Sequence, residues 1–219
     1  MNNLKIFCIS LSENHLEKIK KINYIPVGLG DESFSKDWLR DNLGENISSK
    51  NKFYGEYTFH YWLWKNNFMN IEDECWIGFC TYRRFWSNNS ENTTLVNLKD
   101  SIIQKIPPEW DGYNSVLVKP LFVNKTKPSK VFKHGKKYLL KNPLIFFNKK
   151  KITIKVHFDM YHGHGNLDKA IDLLDSQNKE NFRKFVESEN AFNPYNMFLC
   201  KSQKILKAYY NSLFNWLSR

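Results

Sequence analysis

The chain has 219 residues, 42% hydrophobic, 16% aromatic and 25% charged, with 33 Lys+Arg against 22 Asp+Glu for a net charge of +11. A chain of this length folds as one domain able to bury roughly 70% of its unfolded surface, and this composition, with a mean hydropathy of −0.57, excludes disorder, low complexity, collagen and an integral membrane bundle. The basic excess favours an anionic partner, whether nucleic acid, acidic bilayer or phosphorylated small molecule, although lysine paired with many asparagines is also what an AT-rich coding sequence yields with no function attached.

Leu4 to Leu11, "LKIFCISL", is almost continuously apolar, as expected of a buried first strand in an α/β sheet. Ser12, Glu13 and Asn14 interrupt that run too soon for a signal peptide, and no window approaches twenty apolar residues. Cys8, Cys75, Cys80 and Cys200 form no C-x-x-C pair and lie in apolar company, which predicts buried free thiols and a reducing compartment. A cytoplasmic protein without a transmembrane anchor is the expectation.

Tyr24 to Asp31 predicts a strand running into a glycine turn, without the G-x-G-x-x-G of a dinucleotide fold. "SFSKDWLRDNLGENISSKN" predicts a long polar loop after a short helical turn, ordered by Trp38 and Leu39. Tyr54 to Asn66 predicts a buried helix, aromatic on more than one face. Cys75 to Trp86, "CWIGFCTYRRFW", is the clearest strand, and Asn114 to Val123 predicts another. Lys125 to Lys155 is dense in lysine with two apolar islands, "KYLL" and "PLIFF", and receives no detailed assignment. Asn166 to Glu189 carries Leu167, Ile171, Leu174, Phe182, Phe185 and Val186 at helical spacing, giving one broken or two short helices. "NPYNMFLCKS" predicts a strand, and the chain closes on an amphipathic helix from Gln203. Strands alternating with helices predict an α/β class with a mixed sheet.

Arg83 and Arg84 close the clearest strand. A guanidinium has five donors and cannot be neutralised, so at a strand end it needs a carboxylate or a phosphate, and the crevice outside the carboxyl ends of the strands is where open α/β sheets bind ligands. Alternation predicts opposite faces for the two, one for ligand and one for an internal carboxylate such as Asp41 or Glu56; two structural ion pairs are the alternative. The loop gathers Arg40, Asp41, Asn42, Glu45, Asn46, Ser48, Lys50 and Asn51, a run able to read a base and ribose or to form an elaborate surface turn. "HFDMYHGHGNLD" gathers His157, Asp159, His162, His164 and Asp168. Its flexible glycines fix no metal geometry, so a general base is the better reading, with an i,i+4 pair of His164 and Asp168 at the start of a helix as the structural alternative. There is no P-loop, no G-x-S-x-G and no H-E-x-x-H, and the acidic run Glu72 to Glu74 precedes its strand, the wrong end for a Mg²⁺-nucleotide site.

Taken together, "RDNLGENISSKN", "YGEYTFHYWLWKN", "GFCTYRRF" and "YNMF" resemble the bacterial domain of unknown function 4422, and the resemblance covers nearly the whole chain. That family is found in capsule, exopolysaccharide and lipopolysaccharide gene clusters and is regarded as glycosyltransferase-like, with members assigned as galactofuranosyl or related hexosyl transferases. The resemblance places the family's Arg-Asp-Asn and Asn-Ile-Ser loop on Arg40, Asp41, Asn42, Gly44, Asn46, Ser48, Lys50 and Asn51, its Glu-Tyr-Thr helix on Glu56 to Thr58, and its Tyr-Arg-Arg on Tyr82, Arg83 and Arg84. The histidine that usually precedes that tyrosine is Thr81 here, so no role passes to it.

The resemblance implies a GT-A-like, Rossmann-type mixed sheet flanked by helices in a single domain, with a donor half at 1–123 and an acceptor half at 124–219. It implies hexosyl transfer from a nucleotide sugar, UDP-linked, to a bacterial surface polysaccharide, on a polyprenyl-diphosphate-linked or oligosaccharide acceptor. Donor contacts are expected from the loop residues with Tyr82, Arg83 and Arg84. The two arginines are expected to neutralise the leaving diphosphate without a required metal, Mn²⁺ or Mg²⁺ being the alternative. Asp168, with His164 second, is the expected base of an inverting displacement. The lysine-rich stretch is expected to hold the protein at the anionic inner face of the plasma membrane. Nucleic acid is not an expected partner. The rival class is a basic RNA- or polysaccharide-binding protein without catalysis, disfavoured because the aromatic residues cluster in apolar elements and no RNA-binding signature is present.

Overall fold

The computed structural model describes residues 4–67, 75–87, 101–141, 143 and 148–219; Glu72 to Glu74 and most of the "PLIFF" island lie outside them. In chain order come β1 (Leu4–Ser10), α1 (Leu16–Lys21), β2 (Ile25–Gly28), β3 (Leu39–Arg40), α2 (Asn51–Tyr54), α3 (Tyr57–Trp62), β4 (Trp76–Thr81), β5 (Ser115–Leu117), β6 (Leu121–Phe122) and α4 (Pro128–Lys141). There follow α5 (Ile154–His162), α6 (Asn166–Asp172), α7 (Ser176–Ser188), β7 (Ala191–Phe192), β8 (Phe198–Cys200) and α8 (Gln203–Leu217). Two compact units result, one of Met1–Leu117 with Tyr195–Phe214, the other of Val118–Pro194 with Asn215–Arg219.

The first unit is built on a mixed six-stranded sheet in the order β3-β2-β1-β4-β8-β5, the class that the alternating elements predict. β1 lies parallel between β2 and β4, and its apolar run is buried from Ile6 to Ser10. The antiparallel strands β8 and β5 extend the sheet beyond β4. Gly78 is the narrow point of three strands, paired with Ile6 on one side and Leu199 on the other. A Cβ there would lie 2.7 Å from Leu199 Cδ2 and 3.1 Å from Ile6 Cγ1, so glycine serves close approach. One strand was expected from Asn114 to Val123; two short ones form instead, β5 in the six-stranded sheet and β6 paired with β7. Pro120 lies between them and has no N–H to give a ladder.

α3 presents Thr58, Phe59, His60 and Trp62 inward and continues as a π turn at Leu63–Asn67. The His60 ring centroid lies 4.3 Å from that of Phe79 in β4 and 5.8 Å from that of Phe198 in β8, and its Nδ1 lies 2.9 Å from Tyr210 Oη in α8. Burial, which penalises the charged form, pushes the imidazole pKa down to about 3.

The second unit holds β6, β7 and α4 to α7. Val123, Val131, Leu139, Ile152 and Met160 form one apolar cluster, and Ile154, Leu167, Ile171 and Val186 another, with Phe192 packed against both. Thr153 Oγ1 accepts from Val156 N and Asp175 Oδ1 from Asn178 N, which fixes where α5 and α7 begin. Of the two readings for Asn166 to Glu189, one broken helix or two short ones, the structure shows two, α6 and α7.

Two outcomes test this packing. Gly78→Ala should destabilise the fold by about 1–3 kcal/mol through overpacking against a fully buried leucine, read as a lower urea midpoint with an unchanged slope. His60 has a folded pKa below its unfolded value of 6.5, so its contribution to stability is complete above that pH and is lost as pH falls, at up to about 1.4 kcal/mol per pH unit. Urea midpoints between neutral pH and pH about 5 should drop, and His60→Phe should flatten that part of the slope.

Candidate active site

From β1 the chain runs outward through β2 to β3 on one side, while β4 lies on the other. The reversal falls between β1 and β4, and the crevice at their carboxyl ends is where such a topology receives ligands. The register sets Ile9 beside Thr81, so the segments that follow, Ser10 to His15 and Tyr82 to Arg84, emerge side by side. Ser10 is buried; its Oγ lies 2.7 Å from His15 Nδ1 and accepts from Ser12 N at 3.0 Å. The His15 ring stacks on that of Tyr82 with centroids 4.0 Å apart at 14°.

β4 ends at Thr81, and Arg84 N donates to Thr81 O at 3.0 Å, closing a tight turn over Tyr82 and Arg83. Strand alternation therefore does not govern the two arginines. Both side chains are exposed, Arg83 over the Tyr82 ring at 5.2 Å and Arg84 over Tyr195 at 4.1 Å. Neither forms an ion pair among the described residues. The carboxylate in their field is Glu56, at the start of α3. Burial raises its pKa, offset in part by a hydrogen bond from Asn196 and by the charges of Arg84 and Arg83. Tyr57 Oη donates to Asn196 Oδ1 at 2.8 Å, which turns the amide N–H toward Glu56. His15, Tyr195 and Asn196 belong to this group and were not singled out for chemistry in the sequence. The "YNMF" run marked Tyr195 and Asn196, but as a family signature without a role.

The loop from Arg40 to Asn51 spends most of its polar groups within the protein, on itself and on neighbouring segments. Arg40 donates to Gly30 O at 2.8 Å and Glu32 O at 3.2 Å and stacks over Phe34 at 4.4 Å, so it pins the turn after β2. Asn46 Oδ1 accepts from Ser48 N and Oγ, its Nδ2 donates to Gly44 O, and Asn51 Nδ2 donates to Gly55 O and Thr58 Oγ1. Asn42 and Lys50 are exposed, Lys50 lying 5.9 Å from the Tyr54 ring centroid. Asp41 is 0% exposed, and among the described residues neither carboxylate oxygen has a hydrogen-bond donor at bonding geometry. Burial raises its pKa, with Thr58 and Arg40 offsetting only part.

Asp168 and His164 lie in the second unit. Asp168 is paired with Lys155 and with Arg183 at 3.0 Å, and these cations, the Lys155 hydrogen bond first, lower its pKa. The i,i+4 pair of His164 with Asp168 is not formed. His164 Nδ1 instead lies 3.0 Å from Oδ2 of Asp159, whose side chain is 1% exposed against 74% for His164, and Asp159 Oδ1 also accepts from Gly165 N. His157 and His162 turn to ring contacts with Tyr161 and Phe158. Among the described residues no three His, Cys, Asp or Glu are grouped to hold a metal ion, and no helix is long and apolar enough to cross a membrane. All four cysteines are buried free thiols.

The solved structure of WbbM, a bifunctional glycosyltransferase without ligand, matches 99% of this chain with a TM-score of 0.59 at 20% identity. The chain spans 37% of the length of that protein, and the likeness establishes a shared fold. No functionally curated protein matches. The sheet, the crevice and the arginine turn are carried by a sequence whose residues 5–219 match the model of the family described as "Domain of unknown function (DUF4422)", and the chain belongs to that family.

Proposed function

We propose that the chain is a glycosyltransferase that moves a hexosyl group, galactofuranosyl in the reading the family suggests, from a UDP-linked sugar to a growing bacterial surface polysaccharide. The observation that carries this reading is the pair of exposed guanidiniums of Arg83 and Arg84, without an ion pair among the described residues, beside a carboxylate of raised pKa, Glu56, at the β1/β4 crevice. The fold shared with WbbM adds support.

In this mechanism the diphosphate of the donor is held by Arg83 and Arg84, whose forked donors match its oxygens. The stacked rings of His15 and Tyr82 offer a flat surface to the base. The acceptor hydroxyl oxygen attacks the anomeric carbon, its proton passes to the Glu56 carboxylate, and the bond from anomeric carbon to diphosphate oxygen breaks with inversion. The charge left on the diphosphate is balanced by the two arginines, which is why turnover is proposed to need no metal. Burial raises the basicity of Glu56, whereas the cations around Asp168 lower that of the group first expected as base. His164, held through Nδ1 by Asp159, leaves Nε2 outward and is the second choice.

Release of nucleoside diphosphate from a panel of sugar nucleotides with an oligosaccharide acceptor tests the reading. Arg83→Ala and Arg84→Ala should each weaken UDP binding by about 1.5–3 kcal/mol, roughly 10- to 150-fold in Kd, with folding intact and turnover surviving EDTA. Strict dependence on Mn²⁺ or Mg²⁺ sinks the metal-free form. Turnover at wild-type level in both arginine variants sinks the site.

Glu56→Gln should lower kcat by about 10²- to 10⁴-fold, and the acid limb of the wild-type rate profile should lie above the ordinary glutamate value of 4.5. If Glu56→Gln is fully active while His164→Asn is dead, the base is His164. Asp168→Asn should act on stability, read as a lower melting point with kcat retained.

A further inference from the structure

The charge of the chain is segregated. Residues 112–158 contain twelve lysines, no arginine and no acid, so these 47 residues carry +12, while the remaining residues, 21 basic against 22 acidic, carry −1. The whole of the net charge therefore sits in one stretch, and α4 is its longest element.

α4 turns Val131 and Leu139 into the apolar cluster with Val123, Ile152 and Met160. Gly135 faces the same way, where a Cβ would come within 2.8 Å of Met160 Sδ. That contact fixes which face looks outward. On the outward face Phe132 is 57% and Leu140 77% exposed, and Lys133 and Lys136 are exposed with them. At about 100° per residue, positions 132, 133, 136 and 140 fall within an arc of roughly 100°. Two large apolar side chains interleaved with lysines are neither a core stripe nor an ordinary solvated face. The cluster that seats α4 also includes Val123 and Ile152, whose sequence neighbours are Lys125 and the exposed turn Lys149–Lys151. Phe122, 39% exposed, lies under Lys125 at 4.6 Å.

We propose that the outward face of α4 is a bilayer-docking surface, on which Lys133 and Lys136 meet anionic headgroups while Phe132 and Leu140 enter the headgroup boundary. The occupant is argued from the chemistry of the face. A polybasic surface built from lysine without arginine suits diffuse attraction to an acidic leaflet rather than bidentate readout of phosphates. An exposed leucine beside an exposed phenylalanine gains free energy by leaving water for the acyl boundary, whereas a single-stranded nucleic acid would reward aromatic stacking and leave the leucine wet.

Co-sedimentation with vesicles of phosphatidylcholine mixed with phosphatidylserine tests the proposal. The protein should bind at about 0.1 M salt, where the screening length is about 10 Å, release at about 0.5 M, and ignore phosphatidylcholine alone. Lys133→Glu with Lys136→Glu should cut binding at least about tenfold. Phe132→Ser with Leu140→Ser, both on the outward face, should bind more weakly and dissociate at lower salt, and a Phe132→Trp reporter should shift its emission to the blue on anionic vesicles only. Failure to sediment with anionic vesicles at low salt overturns the proposal. So does sedimentation that the serine pair leaves unaltered and that polyuridylate competes away in both proteins, which would assign the face to nucleic acid.

Discussion

Six successive residue pairs, from Leu4 with Trp76 to Ile9 with Thr81, lock β1 against β4 in a parallel ladder, and the candidate chemistry depends on that register. With the strands level, Ser10 and Tyr82 leave the sheet at the same height, which lets the His15 ring lie on the Tyr82 ring. A shift of one residue would exchange the faces of every side chain in β4, taking Phe79 away from the His60 and Phe198 rings and Gly78 away from the place where only glycine fits. Register, core and crevice are thus set by one pairing.

Around the crevice the arginines divide by what satisfies them. Arg40 meets backbone carbonyls and an aromatic face, so its fork is spent on holding a loop. Arg83 and Arg84 have aromatic neighbours but no carboxylate within ion-pair distance among the described residues, which leaves their donors open to an anion from outside. Asp41 shows the opposite condition, a fully buried carboxylate whose oxygens, among the described residues, have no donor at bonding geometry and only partial relief from Thr58 and Arg40. Protonation relieves that cost, which is why burial raises its pKa. The loop around it is ordered by the Asn46 side-chain carbonyl, which accepts from Ser48, by the Asn51 amide, which donates to Gly55 O and Thr58 Oγ1, and by the Glu45–Lys65 ion pair.

Strands and helices whose apolar residues recur without interruption were legible in the sequence: β1, β2, β4, α6, α7, β8 and α8 stand where the runs and spacings place them. Features decided by contacts across long sequence separations were not. Asp168 meets Lys155 and Arg183, and His164 meets Asp159, because α5, α6 and α7 pack together, which no local pattern announces. The polar density of the loop read equally as ligand recognition or as turn construction, and its hydrogen bonds supply most of the second. Arg83 and Arg84 were legible as costly cations at a strand end. Their geometry was not, since the turn that closes at Arg84 depends on where β4 stops rather than on the alternation within it.

Val118–Pro194, most of the second compact unit, lies in sequence between β5 and β8, so the first unit is discontinuous in sequence. On the ribosome β1 to β4 can assemble early, but the strand that pairs with the other edge of β4 among the described residues, β8, emerges more than a hundred residues later. At 5–20 residues per second that edge waits on the order of ten seconds. It is an apolar strand edge of the kind that pairs with other chains when left open, and β5, whose partner in the sheet among the described residues is β8, does not cover it. The nascent chain therefore passes through a long interval in which protection of β4 falls to a chaperone or to the speed with which the inserted unit folds.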